Sequence, residues 1–242
     1  MGSTGAGKNA GGAGGAVKGF SFEGLSAQDI DKKIKELQAE MGQNGYEAGD
    51  PNASPNNKLY VNTGKSMNIN AYLLSDGDTI YSSDSNWNGL IDKSWVKNAI
   101  KQIDSGMKPL TQSVQTYRFL NGDALGKMLG LSALNSSTIK NMINTLEGGG
   151  HVKTTFTDLL KNVDYTHKAY TSTTYVPEHG SYGDKDVRLN IVAKKGTNAI
   201  VTNNIKEHEI VLGRNQKYQF TGGWKIETTK TGKKQLVLDV II

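Results

Sequence analysis

Apolar residues recur along this chain with two different periods. From Ser26 they fall at Ile30, Ile34, Leu37 and Met41, the three-and-four spacing of one helical stripe. Ser26 is placed to cap the start of that helix and Gly42 to stop its end. Leu90, Ile91, Trp95, Val96, Ile100 and Ile103 repeat the spacing, and the segments 124–131, 137–146 and 155–163 read as helices too. After Tyr165 the period falls to two. Val187, Leu189, Ile191 and Ala193 alternate with polar or smaller neighbours, as do Ile210 and Leu212, Tyr218 and Phe220, and then Leu236, Leu238, Val240 and Ile242. That alternation predicts strands with one buried face, and Thr231-Gly232 between two such runs marks a hairpin turn. Helices first and strands later, with no regular βαβ rhythm, predict an α+β domain rather than a doubly wound sheet.

Two stretches carry no such pattern. Residues 1–16 hold seven glycines and no large apolar side chain apart from the first methionine, too little burial to offset the entropy of ordering, so residues 1–20 read as a flexible glycine-rich tail. Residues 44–57, with the run GDPNASPNN, read as a loop or linker. The expected organisation is therefore a tail over 1–20, a short helix and linker over 21–58, and one compact domain over 59–242. No apolar core of a secretory signal is present, and no stretch approaches the roughly 20 apolar residues of a membrane span, so neither signal-peptide export nor a membrane partner is expected.

Composition removes several chemistries. The 242 residues include no cysteine, which excludes disulfides, zinc-thiolate sites and thiol nucleophiles. Lys and Arg number 28 against 23 Asp and Glu, a mild basic bias well short of what nucleic-acid binding requires. His151, His167, His179 and His208 form neither an HExxH motif nor an i, i+4 pair, and no metal site is expected. The N-terminal GSTGAGKN approaches a phosphate-binding loop, but Asn9 stands where a hydroxyl should hold magnesium and no strand precedes the loop to aim it. No G-x-S-x-G is present.

Three segments remain as candidate chemistry. Glu207-His208-Glu209 lies at the entrance of the Ile210–Leu212 alternation, so its two carboxylates share a side about 6 to 7 Å apart. The bland reading is a solvated strand end; the functional one is a pair of acids with a cationic partner or a job. Arg118 sits inside the strand-like run Thr116-Tyr117-Arg118-Phe119, and Tyr170-Thr171-Ser172-Thr173-Thr174 is a hydroxyl-rich strand.

Taken in order, Tyr117-Arg118, Ser172-Thr173-Thr174 and Glu207-x-Glu209 resemble the arginine, serine and glutamate signature of mono-ADP-ribosyltransferases, over roughly residues 65–242. Lys195-Gly196-Thr197 and the closing strands are similar to the family's layout as well. The resemblance implies a split β-sheet core with leading helices and NAD as substrate. It implies that Glu209 bonds the ribose 2′-hydroxyl and steadies an oxocarbenium-like ribose, the problem glycosidases also solve with carboxylates. It further implies that Arg118 binds the NAD phosphates, which suits a planar, permanently charged fork, and that Ser172 positions Glu209, with Thr173 beside it at the cofactor and Thr174 bracing the strand. The backbone of Phe119 is expected at the carboxamide, and Tyr175 or Tyr182 at the nicotinamide ring. A Glu at position 207 goes, in this family, with arginine acceptors; it would align the guanidinium and take its proton. The implied partner is an acceptor protein with an exposed arginine, with room for a neutralising partner, in a bacterial toxin or effector or a phage-encoded modifier delivered by a phage or a specialised secretion system. Two alternatives stand beside this one: an NAD glycohydrolase on the same scaffold, and a noncatalytic structural module.

Overall fold

The computed structural model describes residues 18–43, 63–78, 80, 93–177, 183–202 and 208–242. The helices are α1 (Ala27–Glu40), α2 (Thr63–Leu74), α3 (Lys93–Gly106), α4 (Gly122–Leu129), α5 (Ile139–Gly148) and α6 (His151–Lys161). The strands are β1 (Lys108–Pro109), β2 (Val114–Leu120), β3 (Tyr165–His167), β4 (Thr171–Thr174), β5 (Val187–Ala193), β6 (Asn198–Val201), β7 (Glu209–Leu212), β8 (Gln216–Thr228) and β9 (Lys234–Ile241). They form one sheet in the order β1-β6-β7-β4-β2-β5-β9-β8-β3. The pair β5–β9 is parallel and its neighbours pair antiparallel. The α+β class is the one the periodicity predicts, with β1 and β2 lying between the first three helices and the last three.

The join between the two halves of this sheet shapes everything that follows. β2 is registered with β5 over seven residue pairs, from Val114↔Ala193 to Leu120↔Val187, yet it meets β4 at the single pair Tyr117↔Thr174. Beyond that pair the two strands part, leaving a split between β2–β5–β9 on one side and β4–β7–β6 on the other. β4 is held on its other edge by β7 through four pairs, Thr171↔Leu212 to Thr174↔Glu209.

One main core fills the interior: Leu125, Ile139, Ile143 and Leu160 from α4, α5 and α6 pack with Leu189, Ile191, Ile210, Leu212, Tyr218, Leu236 and Leu238 from the strands. A second cluster lies where α2 and α3 lean on the outer strands, with Ile69, Val96 and Ile103 against Tyr170, Ile200 and Val211. The α4 turn explains its own geometry. Asn121 caps it by accepting from the Ala124 amide at 3.1 Å, Gly130 ends it with φ 67°, and a Cβ on Gly126 would stand 2.5 Å from the Leu134 carbonyl, so only glycine allows that approach.

Three features differ from the expectation. The helix over 27–40 begins at the predicted cap, with Ser26 accepting from the Asp29 amide at 3.1 Å, but it belongs to the main core through Ile34, Leu37 and Met41. Its Gln38 and the following Gln43 donate to the Val201 and Ala199 carbonyls, each at 2.9 Å, tying the segment to β6. Helix α2 was not predicted: Gly64, Asn68 and Asn70 are poor helix formers, and it is contact with α3 through Ile69 that holds it. Residues 198–201, for which no element was expected, form strand β6 between β1 and β7.

Candidate active site

Ser172 and Glu209 meet directly. They sit on adjacent strands, two residue pairs apart along the ladder: Ser172 is opposite Val211, and Glu209 opposite Thr174. Alternate residues share a face of the sheet, so both side chains leave on the same side, and the Ser172 hydroxyl donates to Oε1 of Glu209 at 2.5 Å. Ser172 is exposed, while Glu209 is only 4% exposed. A buried carboxylate fixed by a charge-assisted bond to a serine at the mouth of a split is a preorganised negative charge, able to meet a cation that develops beside it.

Thr173 and Thr174 of the β4 run serve the strand. The Thr173 hydroxyl donates to the Ile210 carbonyl at 2.7 Å, on the buried face, and the Thr174 hydroxyl accepts from the Val176 amide at 3.3 Å. The start of β4 is pinned from the helical side, where Tyr170 donates to Oδ1 of Asp104 at 2.6 Å; Asp104 in turn pairs with Arg214 at 2.9 Å.

Arg118 stands one residue past the single β2–β4 pair, on the β2 side of the split. It is half-buried and makes no hydrogen bond or ion pair among the described residues, Ser172 and Glu209 included. Its charge is felt by Tyr165, His167 and Tyr218. Burial first and this guanidinium second push His167 down to about 4, so the imidazole is neutral at pH 7. Phe119 is half-buried on the same strand and, two residues on from Tyr117, shares its face.

Tyr175 is buried, with its ring faced by Phe22 at 4.9 Å and by His208 at 5.2 Å. Burial, with a smaller contribution from Asp31, pushes its hydroxyl up to about 12. These contacts place Tyr175 among the residues of the main core. Glu207 and Tyr182 lie outside the described residues. Among the described residues no group of His, Asp and Glu is arranged to hold a metal ion, and no helix is long and apolar enough to cross a membrane.

Sequence reasoning missed the group behind β4. Tyr165 and His167 on β3, Tyr218 on β8 and Thr171 on β4 come together across the sheet, with the Tyr165 hydroxyl and His167 Nδ1 at 2.8 Å and the Tyr218 and Thr171 hydroxyls at 2.7 Å. The Y-x-H spacing of Tyr165 and His167 was the available signal, since it places both on one face of a strand.

Residues 31–242 match the family model described as ADP-ribosyltransferase exoenzyme, and the chain belongs to that family. Among solved structures it is similar to Plx2a, an ADP-ribosyltransferase toxin from Paenibacillus larvae, with 20% identity and a TM-score of 0.60 over 88% of this chain and 94% of that one. It is similar to C3stau2 from S. aureus, solved with NAD, with 18% identity and a TM-score of 0.61 over 93% and 97%. BECa, the ADP-ribosylating toxin of a binary enterotoxin of C. perfringens, solved with NADH, gives 16% identity and a TM-score of 0.67 over 93% of this chain but 50% of that one. At these identities the likeness concerns the fold. The sequence matches no curated protein.

Proposed function

We propose that the chain transfers ADP-ribose from NAD to an arginine of a target protein, as a bacterial toxin or effector. The observation that carries this reading is the 2.5 Å hydrogen bond from Ser172 to the buried carboxylate of Glu209. In the reaction the bond between nicotinamide and C1′ of the ribose breaks, the neutral nicotinamide leaves with the bonding electrons, and a guanidine nitrogen of the acceptor bonds to C1′. Glu209 would accept from the 2′-hydroxyl and stabilise the positive charge that grows on the ribose. Ser172 holds that carboxylate in place. Arg118, half-buried at the split and without an ionic partner among the described residues, offers its fork to the phosphates. Glu207 would take the proton lost by the acceptor, a role that rests on the sequence.

Glu209→Gln and Glu207→Gln test this division. With labelled NAD and a cell lysate as acceptor source, Glu209→Gln is expected to lose about 10²- to 10³-fold of both protein transfer and NAD hydrolysis. Glu207→Gln is expected to lose protein transfer and keep hydrolysis. Equal losses of both activities in the two variants would sink the assignment of separate roles, and hydrolysis with no labelled protein or modified arginine by mass spectrometry would make the chain a glycohydrolase.

A further inference from the structure

We propose that Tyr218 is a positioning residue for the reaction, acting through Thr171 on Ser172. The inference deepens the reading above and rests on its claim that Ser172 aligns Glu209.

β4 is a four-residue strand with a full ladder to β7 on one edge and a single pair to β2 at its far end, Thr174, on the other. Its first residues, Thr171 and Ser172, therefore have no strand beside them on the split side. A short strand free along one edge is poorly fixed in position, whereas a 2.5 Å serine–carboxylate bond tolerates little displacement. The Tyr170–Asp104 bond pins the residue before the strand, and a second tie reaches the strand itself.

Tyr218 supplies the tie. It is fully buried on β8, and its hydroxyl lies 2.7 Å from that of Thr171, itself fully buried. Thr171 is the immediate neighbour of Ser172. The phenol ring cannot swing away: Tyr165 meets it edge-on at 5.6 Å and His167 packs against it at 5.8 Å, and the backbones of Tyr165 and Tyr218 are registered across β3 and β8. His167 is held in turn by the Tyr165 hydroxyl on Nδ1.

The test is a double-substitution cycle read by kcat and KM. Tyr218→Phe keeps the ring and removes the hydroxyl. It is expected to lower kcat about tenfold with KM for NAD changed by less than about twofold, because the loss falls on the aligned carboxylate and not on binding. Thr171→Val, which removes the other end of the tie, is expected to do the same. In a Ser172→Ala background neither is expected to lower kcat further. An unchanged kcat in both single variants overturns the proposal, as does the same fold-loss with and without Ser172, which would mark a merely structural role. If Ser172→Ala alone keeps the full kcat, it is the reading of the site that fails. The positioning claim is then decided by the side-chain carboxyl resonance of Glu209 in 13C-glutamate-labelled protein, which Tyr218→Phe is expected to move and whose constancy would overturn it.

Discussion

The two faces of β4 are built from the same residue type and do opposite things. On one face Ser172 is exposed and gives its hydroxyl to a carboxylate. On the other, Thr171 and Thr173 are buried, the first bonded to the Tyr218 hydroxyl and the second donating to the Ile210 carbonyl. A hydroxyl beside water can be spared for a ligand, while a buried hydroxyl must be bonded within the protein or cost the fold a desolvated polar group. The strand's alternation puts Ser172 on one face and Thr171 and Thr173 on the other, while Thr174, on the face of Ser172, is buried where β4 meets β2.

Changes on the two faces should therefore separate activity from stability. The largest expected effect is on the open face, where Glu209→Gln removes most of the turnover while the melting temperature stays near that of the wild type. On the closed face, His167 makes stability depend on acid. Its folded value of about 4 lies below the ordinary 6.5, so the unfolded chain takes up the proton first as pH falls. Its contribution is fully present above pH 6.5 and is lost between there and about pH 4, up to about 3 kcal/mol. Urea titrations at pH 7 and pH 4.5 should show this loss in the wild type and a smaller one in His167→Gln; an identical pH dependence in both would remove His167 from the account.

Arg118, one residue past the β2–β4 pair, sharpens the comparison. Arg118→Gln is expected to raise the His167 pKa, because the guanidinium now helps hold it down, and to raise KM for NAD if the fork also grips the phosphates. Imidazole resonances and steady-state kinetics read the two separately, and a shift in His167 with KM unchanged would confine Arg118 to the scaffold. The smallest expected effect is that of Thr173→Val, a loss of about 1 kcal/mol in stability with kcat unchanged. A fall in kcat there would blur the distinction between the faces.

Much of the fold was legible because local pattern and burial agree. The α1 start at Ser26, the α4–α6 helices, and the β5, β7, β8 and β9 alternations all follow from periodicity and caps, which are properties of neighbouring residues. The turn after β8 is of the same kind, with Gly232 at φ 84° where a left-handed residue was expected between two alternating runs. Helix α2 and strand β6 were not legible, since their residues form those elements only once α3, β1 and β7 are beside them. At the site, the identities of Ser172 and Glu209 could be read from the order of three short motifs, whereas Tyr218 and His167 could not, being ordinary aromatic and core positions until β3 and β8 bring them behind β4.

The residues of this chain determine by themselves that it is an α+β protein without thiol chemistry, with an arginine, a serine and two acids in a recognisable order. Those are facts of composition and short-range spacing. Only the tertiary structure decides that β2 and β4 part after one residue pair, that Ser172 reaches Glu209 across the β4–β7 ladder, and that α1 joins the core. Each of these depends on the register between strands far apart in the chain, and register is settled by the burial of whole faces at once.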